Sequence, residues 1–394
     1  MLRDSIRNPT CLDYAATTPL RPEALADMQP VWADVFGNPS GTHELARRAK
    51  TLIEVAREGT AVGLGCEPRE VVFTGGGTEA DNMAVKGAAR AGIGQGLDGV
   101  VVSAFEHHAV LEAAERLENE GFRVSTVPVT AQGIIDLDRL ADVLDERTAV
   151  VSLMLVNNEV GTIQPLEDAA GVVRERAPRA LFHTDAIQAP QWLDVAAATR
   201  SVDLVSVSAH KFGGPKGTGA LVVRGKARLV PLVDGGGQEM GRRSGTHNVA
   251  GIAGMAAALR TTVQQRAEEV ARIGKLRDRL VEGLREAIPD ARFNGAAAHQ
   301  VAGTCHVGFP GVEAEALLLM LDRDGVCAAA GSSCQSGSMD PSHVLMAMGL
   351  SRDLALASIR LSLGWPSTDD DIDRALAVIP ASVERLRTPA ATAR

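Results

Sequence analysis

The stretch SAHKFGGPKGTG, residues 208–219, sets Lys211 directly after a histidine and ahead of a run of glycines and a proline. Glycine-rich backbone beside a lysine can wrap phosphate oxygens, but a P-loop needs G-x-x-x-x-G-K-[ST], and neither Lys211 nor Lys216 follows that spacing. A second reading makes the glycines a plain turn between the strand DLVSVSA and the strand GALVVR, with Lys211 solvated. A third makes Lys211 a Schiff-base lysine, held at a strand end and ready to condense with a carbonyl. The third reading demands company: a carboxylate for a pyridinium nitrogen, a phosphate cup and a ring to stack on.

Candidates for that company stand after other apolar runs. ALFHTDAIQ ends with Asp185, followed by Gln188. An aspartate there can cap a helix, or hold a pyridine nitrogen protonated through a charge-assisted bond. FTGGGTEADN offers three glycines and Thr78 before a helical pattern. Thr78 and Asp81 can form a capping box, and the free N–H groups of the first turn can bind an anion. SAFEHHAV brings His107 and His108. Neighbouring helical residues point in different directions, which argues against a shared metal ion, while one ring can stack on a flat cofactor. VNNEVG supplies Asn157, Asn158 and Glu159, either as an Asn-Asn turn or as a side-chain amide for a ring hydroxyl.

These residues need a scaffold, and the chain around them has the pattern of one. From about Val71 to Arg224 the runs EVVF, GVVVS, FRVSTVPV, AVVSLMLV, ALFHTD, DLVSVS and GALVVR alternate with stretches whose apolar residues recur at three and four. An α/β layer with a largely parallel, mixed sheet is expected, its ligands lying beyond the carboxyl ends of the strands. A long amphipathic helix from about Ala250 to Ala287 leads to an α+β part with strands TCHVGFP and SIRLSLG and helices AEALLLMLDRDG and DDDIDRALAVIPASVERLR. The expected division is an N-terminal segment 1–15 packing with the small domain, a large domain 16–258, and a small domain 259–394 carrying a loop at about 328–340.

With 394 residues, 45% of them hydrophobic, the chain can bury a large core. Its 49 acidic and 40 basic residues give a net charge of -9, which argues against nucleic acid or an anionic membrane as the main partner. No apolar run approaches the ~20 residues of a membrane span, and MLRDSIRNPT does not read as a signal peptide, so a cytoplasmic protein is expected. The five cysteines, Cys11, Cys66, Cys305, Cys327 and Cys334, form no C-x-x-C pair; free thiols are expected, most of them buried, with no metal site.

LDYAATTP, FGNPSGTH, GGGTEADN, EHHAV, NNEVG, HTDAIQ, SAHKFGGPKGTG, GGGQEMGRRSGT and GSSCQSG occur in the order and spacing of one family. Over nearly the whole chain the sequence resembles the cysteine desulfurases of the NifS/IscS type, in the class V group of fold-type I pyridoxal-phosphate enzymes. The resemblance implies that Lys211 carries pyridoxal 5'-phosphate as a Schiff base, that Asp185 pairs with the pyridine nitrogen, that Gln188 and Asn158 lie near the ring hydroxyl, and that His107 stacks on the ring. It implies a phosphate site from Gly77, Thr78, Ser208 and His210, joined by Thr246 of a second subunit, and hence a homodimer. Asn38 and Arg360 match positions that hold the substrate carboxylate, a role suited to an arginine fork. The sequence departs from the family's SGTLP or SGTEN with SGTHN, which leaves His247 without an assigned role.

Among the cysteines Cys334 stands apart, in AAAGSSCQSGSMD, where glycine and serine offer little to pack against. Cys327, at the end of an apolar run, reads as core. The implied activity removes sulfur from L-cysteine, releasing L-alanine and leaving a persulfide on Cys334 for an acceptor such as an iron–sulfur scaffold or a thiolation enzyme. A selenocysteine lyase or another class V aminotransferase or lyase would share Lys211 and Asp185 without requiring Cys334; a sulfur-assembly scaffold would require neither Lys211 nor Cys334.

Overall fold

The computed structural model describes residues 9–331 and 340–388. Strand β1 (Thr10–Cys11) precedes helices α1 (Pro22–Asp34) and α2 (Glu44–Leu64). The seven β-branched runs then form one sheet: β2 (Val71–Thr74), β3 (Gly99–Ser103), β4 (Arg123–Val127), β5 (Thr148–Ser152), β6 (Leu181–Asp185), β7 (Leu204–Ser208) and β8 (Gly219–Val223). Their order is β2-β8-β7-β6-β5-β3-β4, parallel throughout except that β8 runs against both neighbours. Helices α3 (Gly77–Gly92), α4 (His108–Asn119), α5 (Leu137–Val143), α6 (Leu166–Arg176) and α7 (Val195–Ala198) make the connections. Both faces are covered, which is why β3, β5, β7 and β8 are buried along their whole length and read as continuous apolar runs.

The pleat assigns alternate residues to opposite faces. Val71, Phe73, Val101, Val151, Phe182, Val205 and Val207 belong to one core. Val72, Val100, Val102, Val150 and Leu204 pack with Ala80, Met83 and Ala84 of α3 and Val110 of α4 in another. At their carboxyl ends the strands turn polar, with Ser152, His183, Asp185, Ser206 and Ser208 all buried. A sheet that is apolar at the entry of its strands and polar at the exit creates a polar site without breaking the core.

Helix α8 (Val249–Ala287) joins this layer to the rest of the chain: its residues 252–259 lie in the first core and residues 273–284 in a third. The remaining elements are β9 (Arg292–Asn294), β10 (Thr304–Gly308), α9 (Ala314–Arg323), β11 (Val326–Cys327), α10 (His343–Ala347), α11 (Arg352–Leu356), β12 (Ser358–Ser362) and α12 (Asp369–Arg387). β12, β10 and β9 form an antiparallel sheet, and β1 pairs in parallel with β11, so that Leu12 enters the third core. No described helix is long and apolar enough to cross a membrane.

The α/β architecture agrees with the sequence reading, which nevertheless missed β1, β9, β11, α1 and α2. Two- and three-residue strands are too short to show a period. Half of the buried stripe of α2 is alanine (Ala46, Ala49, Ala56, Ala61), so its apolar contrast is faint even though Gly65 closes it in a left-handed C-cap.

The glycines after Lys211 serve the backbone first. Gly213 has φ +89°, and a Cβ there would collide with Arg21 Cγ. Arg21 is buried, ion-paired to Glu269 at 2.9 Å, and its backbone N–H donates to Gly213 O at 2.8 Å. Gly213→Ala therefore combines strained backbone with a clash, and we expect it to destabilise the fold by more than ~1 kcal/mol. Thermal unfolding of the variant beside the parent checks this, and an unchanged midpoint would contradict it.

Candidate active site

The carboxyl ends of β5, β6 and β7 open into a cavity of about 250 Å³. Lys211, Asp185 and His107 line it, as do Gly77, Thr78, Ser208 and His210, together with Asn158, Gln188 and Arg360. Residues from separated motifs along the chain thus meet in one place. Lys211 sits in a 3-10 turn directly after β7, and its Nζ donates to the carbonyls of Ala15 at 2.6 Å and Ala16 at 2.9 Å. Gln188 Nε2 donates to the same Ala15 carbonyl at 2.8 Å. At the other end of that segment Asp13 accepts from Arg360 Nη2 at 2.7 Å, while Arg360 Nη1 donates to Asn158 O at 2.8 Å. Arg360 is 2% exposed, and its Nε has no partner among the described residues, leaving a buried donor for an incoming carboxylate.

Asp185 is buried and accepts from Ile187 N at 2.8 Å, so it acts as a turn cap and a cavity wall at once. Burial raises its pKa, opposed by the Ile187 bond and by Lys211. A cationic N–H partner would reverse that shift, since an opposite charge favours the ionised carboxyl. His107 caps α4, its Nδ1 accepting from Ala109 N at 3.1 Å, which leaves the ring proton on Nε2. Burial, then Lys211, lowers its pKa to about 4, so the ring is neutral and able to lie against an aromatic system. His210 is lowered to about 4 by the same two causes in the same order.

At the mouth of the cavity stands the N-terminus of α3. Gly76 is its N-cap without any side-chain hydrogen bond, so the capping box expected of Thr78 and Asp81 does not form. The first-turn amides are left for an anion, and a Cβ on Gly77 would strike Ile187 Cδ1. The cup opens outward into a depression of about 810 Å³ that shares Gly77, Thr78, Ser208 and His210 and adds Lys216. An amine, a buried carboxylate, a neutral ring and an anion cup fit a flat, phosphorylated pyridine aldehyde.

Asn38 and Thr246 are not brought to this cavity within one chain. Both are exposed and line a separate depression of about 290 Å³ with Trp32 and Phe36. Cys334 lies in 332–339, outside the described residues. Cys327 is half-exposed rather than core, because the strand end of β11 carries it to a groove, and among the described cysteines Cys305 alone is buried. Asn157 takes the turn-forming work, accepting from Glu159 N and Val160 N, which frees Asn158 to face the cavity.

His247 does have a partner, since its Nε2 meets Glu239 Oε1 at 2.7 Å. Glu239 also accepts from both Nη atoms of buried Arg57 and from Phe73 N, which hold its carboxyl down at about 2 despite burial. Two other buried groups, His183 and Glu106, went unread, and Asp81 was read only as part of a helix cap. His183 lies between Ser152 and Ser206 hydroxyls at 2.8 and 2.9 Å; Asp81 Oδ1 is 3.7 Å from its Nε2, and neither Asp81 oxygen has a hydrogen-bond partner among the described residues; Glu106 accepts from Ser103 Oγ and Met154 N. TEADN and FEHH carry a signal of polar residues at core positions, visible only once the helix phase is known.

Burial first, then the Asp185 charge, raises Glu106 to about 8, so it is a neutral acid at pH 7. A raised carboxyl contributes its stability fully below the unfolded value near 4.5 and loses it as pH rises through 8. Glu106→Gln removes this titration while keeping an oxygen acceptor. Its stability relative to the parent should improve between pH 5 and 8, by at most ~1.4 kcal/mol per pH unit. Urea midpoints at the two pH values test this, and a difference that stays constant with pH would refute it.

Residues 10–375 match the family described as aminotransferase class-V. The chain is 40% identical over 378 residues to the cysteine desulfurase IscS of Clostridium botulinum, covering 95% of this chain and 94% of that protein. It is 42% identical over 376 residues to the cysteine desulfurase IscS of Methanosarcina thermophila, covering 95% and 92%. A solved structure of a NifS-like protein superposes with a TM-score of 0.90 at 35% identity, covering 96% of this chain and 100% of that one. The structure of SspA in complex with cysteine superposes with a TM-score of 0.77 at 34% identity, covering 89% and 98%. The chain belongs to the class-V aminotransferase family and, within it, to the cysteine desulfurases of the IscS/NifS type.

Proposed function

We propose that this protein removes sulfur from L-cysteine with pyridoxal phosphate, releasing L-alanine and leaving a persulfide on Cys334. The observation that carries the reading is the shared anchorage of Lys211 and Arg360. One segment, Asp13–Ala16, holds the amine through carbonyls and the carboxylate-binding guanidinium through Asp13, both on one cavity.

Lys211 would hold the cofactor, Asp185 its ring nitrogen, Gln188 and Asn158 its hydroxyl, His107 its ring face, and Gly77, Thr78, Ser208 and His210 its phosphate. Thr246 of a second copy of the chain would close the open side of the phosphate cup, which makes the working form a homodimer. Bound there, pyridoxal phosphate supplies a carbonyl carbon for the substrate amine and a ring that withdraws electrons from Cα. Arg360 receives the substrate carboxylate and so fixes which way the amino acid faces. Lys211 moves the Cα proton, its carbonyl partners limiting the swing of a long side chain. The Cys334 thiolate takes the sulfur: an S–S bond forms as the Cβ–S bond breaks, and Cβ gains a proton. The persulfide then goes to a cytoplasmic acceptor protein, for cluster assembly or thiolation.

Cys334→Ala should leave cofactor absorbance and thermal stability nearly unchanged while abolishing alanine formation. Alanine and sulfide produced at the parent's rate would instead favour a lyase. Asp185→Asn should retain some cofactor and lose roughly 100-fold or more in turnover, because the amide cannot hold a pyridinium proton; each ~1.4 kcal/mol lost is tenfold. Turnover near the parent's would reduce Asp185 to a turn cap.

A further inference from the structure

Cys11 and Cys327 stand directly opposite each other in the parallel pair of β1 and β11. Their strand neighbours Thr10 and Val326 are buried, whereas both cysteines are half-exposed, so the two side chains leave the ladder on the same side. Neighbouring strands lie ~4.8 Å apart, inside the roughly 4.4–6.8 Å between Cα atoms that a disulfide spans. Cys327 also lines a groove of about 670 Å³ through which a small oxidant can reach it.

The segments that follow these two strands both brace Arg360. Two residues after Cys11, Asp13 accepts from Arg360 Nη2. Two residues after Cys327, Ala329 exchanges backbone hydrogen bonds with Arg360 itself, at 3.2 and 2.6 Å. Burial is the leading cause that raises both thiols above their ordinary pKa; at Cys11 a hydrogen bond to the Asp13 backbone opposes it and Cys327 adds to it, while Asp322 and Asp13 add to it at Cys327. They are therefore protonated at pH 7, and their oxidation should quicken as pH rises.

We propose that Cys11 and Cys327 are a redox-active dithiol that a peroxide closes to a disulfide, drawing together the two segments that brace Arg360 and weakening its hold on a carboxylate. The Cys327 thiolate attacks one peroxide oxygen, giving a sulfenic acid and the first water. The Cys11 sulfur then displaces the hydroxyl as the second water, so two thiols and one hydrogen peroxide yield one disulfide and two waters. The coupling to Arg360 rests on the functional reading above; the disulfide does not.

The test treats the full-length, cofactor-loaded protein with hydrogen peroxide at pH 8.5, removes the excess with catalase, and maps disulfides by mass after non-reducing digestion. A Cys11–Cys327 peptide pair two hydrogens lighter than the separate thiol peptides is expected, absent in Cys11→Ser and Cys327→Ser and reversed by dithiothreitol. L-alanine affinity, followed by cofactor absorbance, should fall several-fold in the oxidised parent and stay unchanged in identically treated Cys11→Ser. L-alanine is the probe because L-cysteine would reduce the bond. Failure to find the cross-linked pair overturns the proposal. A disulfide without any change in L-alanine affinity overturns its coupling to Arg360. Failure of the reduced parent to bind L-alanine overturns the functional reading of Arg360, and the coupling with it, while leaving the disulfide to the mass result.

Discussion

The carbonyl of Ala15 is the point on which the site turns. It accepts from Lys211 Nζ and from Gln188, while the Ala15 N–H donates to Ser362 Oγ in β12. The flanking residues extend the stitch in both directions: Asp13 to Arg360, Thr17 to His210, Thr18 to the His210 carbonyl and to Gly213 N. A segment without regular secondary structure thereby ties the lysine turn of the large sheet to an edge strand of the small one. Backbone carbonyls are well suited to this, because they orient an ammonium without adding a charge that would compete with Asp185 for it.

Around that stitch the protein keeps its charges few. His107, His183 and His210 are neutral through burial, and Glu106 is a neutral acid, so the number of ionised groups in and around the cavity is much smaller than the number of titratable ones. In a low-dielectric pocket each remaining charge acts strongly on whatever enters. The polar exits of β5, β6 and β7 concentrate this effect at one end of an otherwise apolar sheet.

The seven sheet strands, the long helix and the main elements of the C-terminal part were legible because burial on both faces writes itself as apolar runs and a sustained helix as spacing at three and four. The cavity-lining residues Lys211, Asp185, Gln188, Thr78, His107 and Asn158 were legible from their positions after those runs. What was not legible depends on contacts that only the fold creates: Ala15 binds Lys211 through its backbone, which no side chain announces, and His247 acquires meaning only from Glu239, which distant Arg57 holds in place. Cys327 was misread because β11 owes its existence to β1, more than three hundred positions away.

Helix α8 belongs to two cores at once. Its 39 residues span about 58 Å at 1.5 Å per residue, and the stretch between its two buried ends crosses from one hydrophobic cluster to the other as a single hydrogen-bonded rod. Such a beam makes the two halves of the molecule mechanical neighbours even where they do not touch. Loosening one core frays the shared rod and removes support from the other, so the halves should melt as one cooperative unit. Any relative movement of them bends this beam or pivots about its ends, with the Asp13–Ala16 segment and the bridge between Thr162 and Gln300 among the contacts that limit the arc.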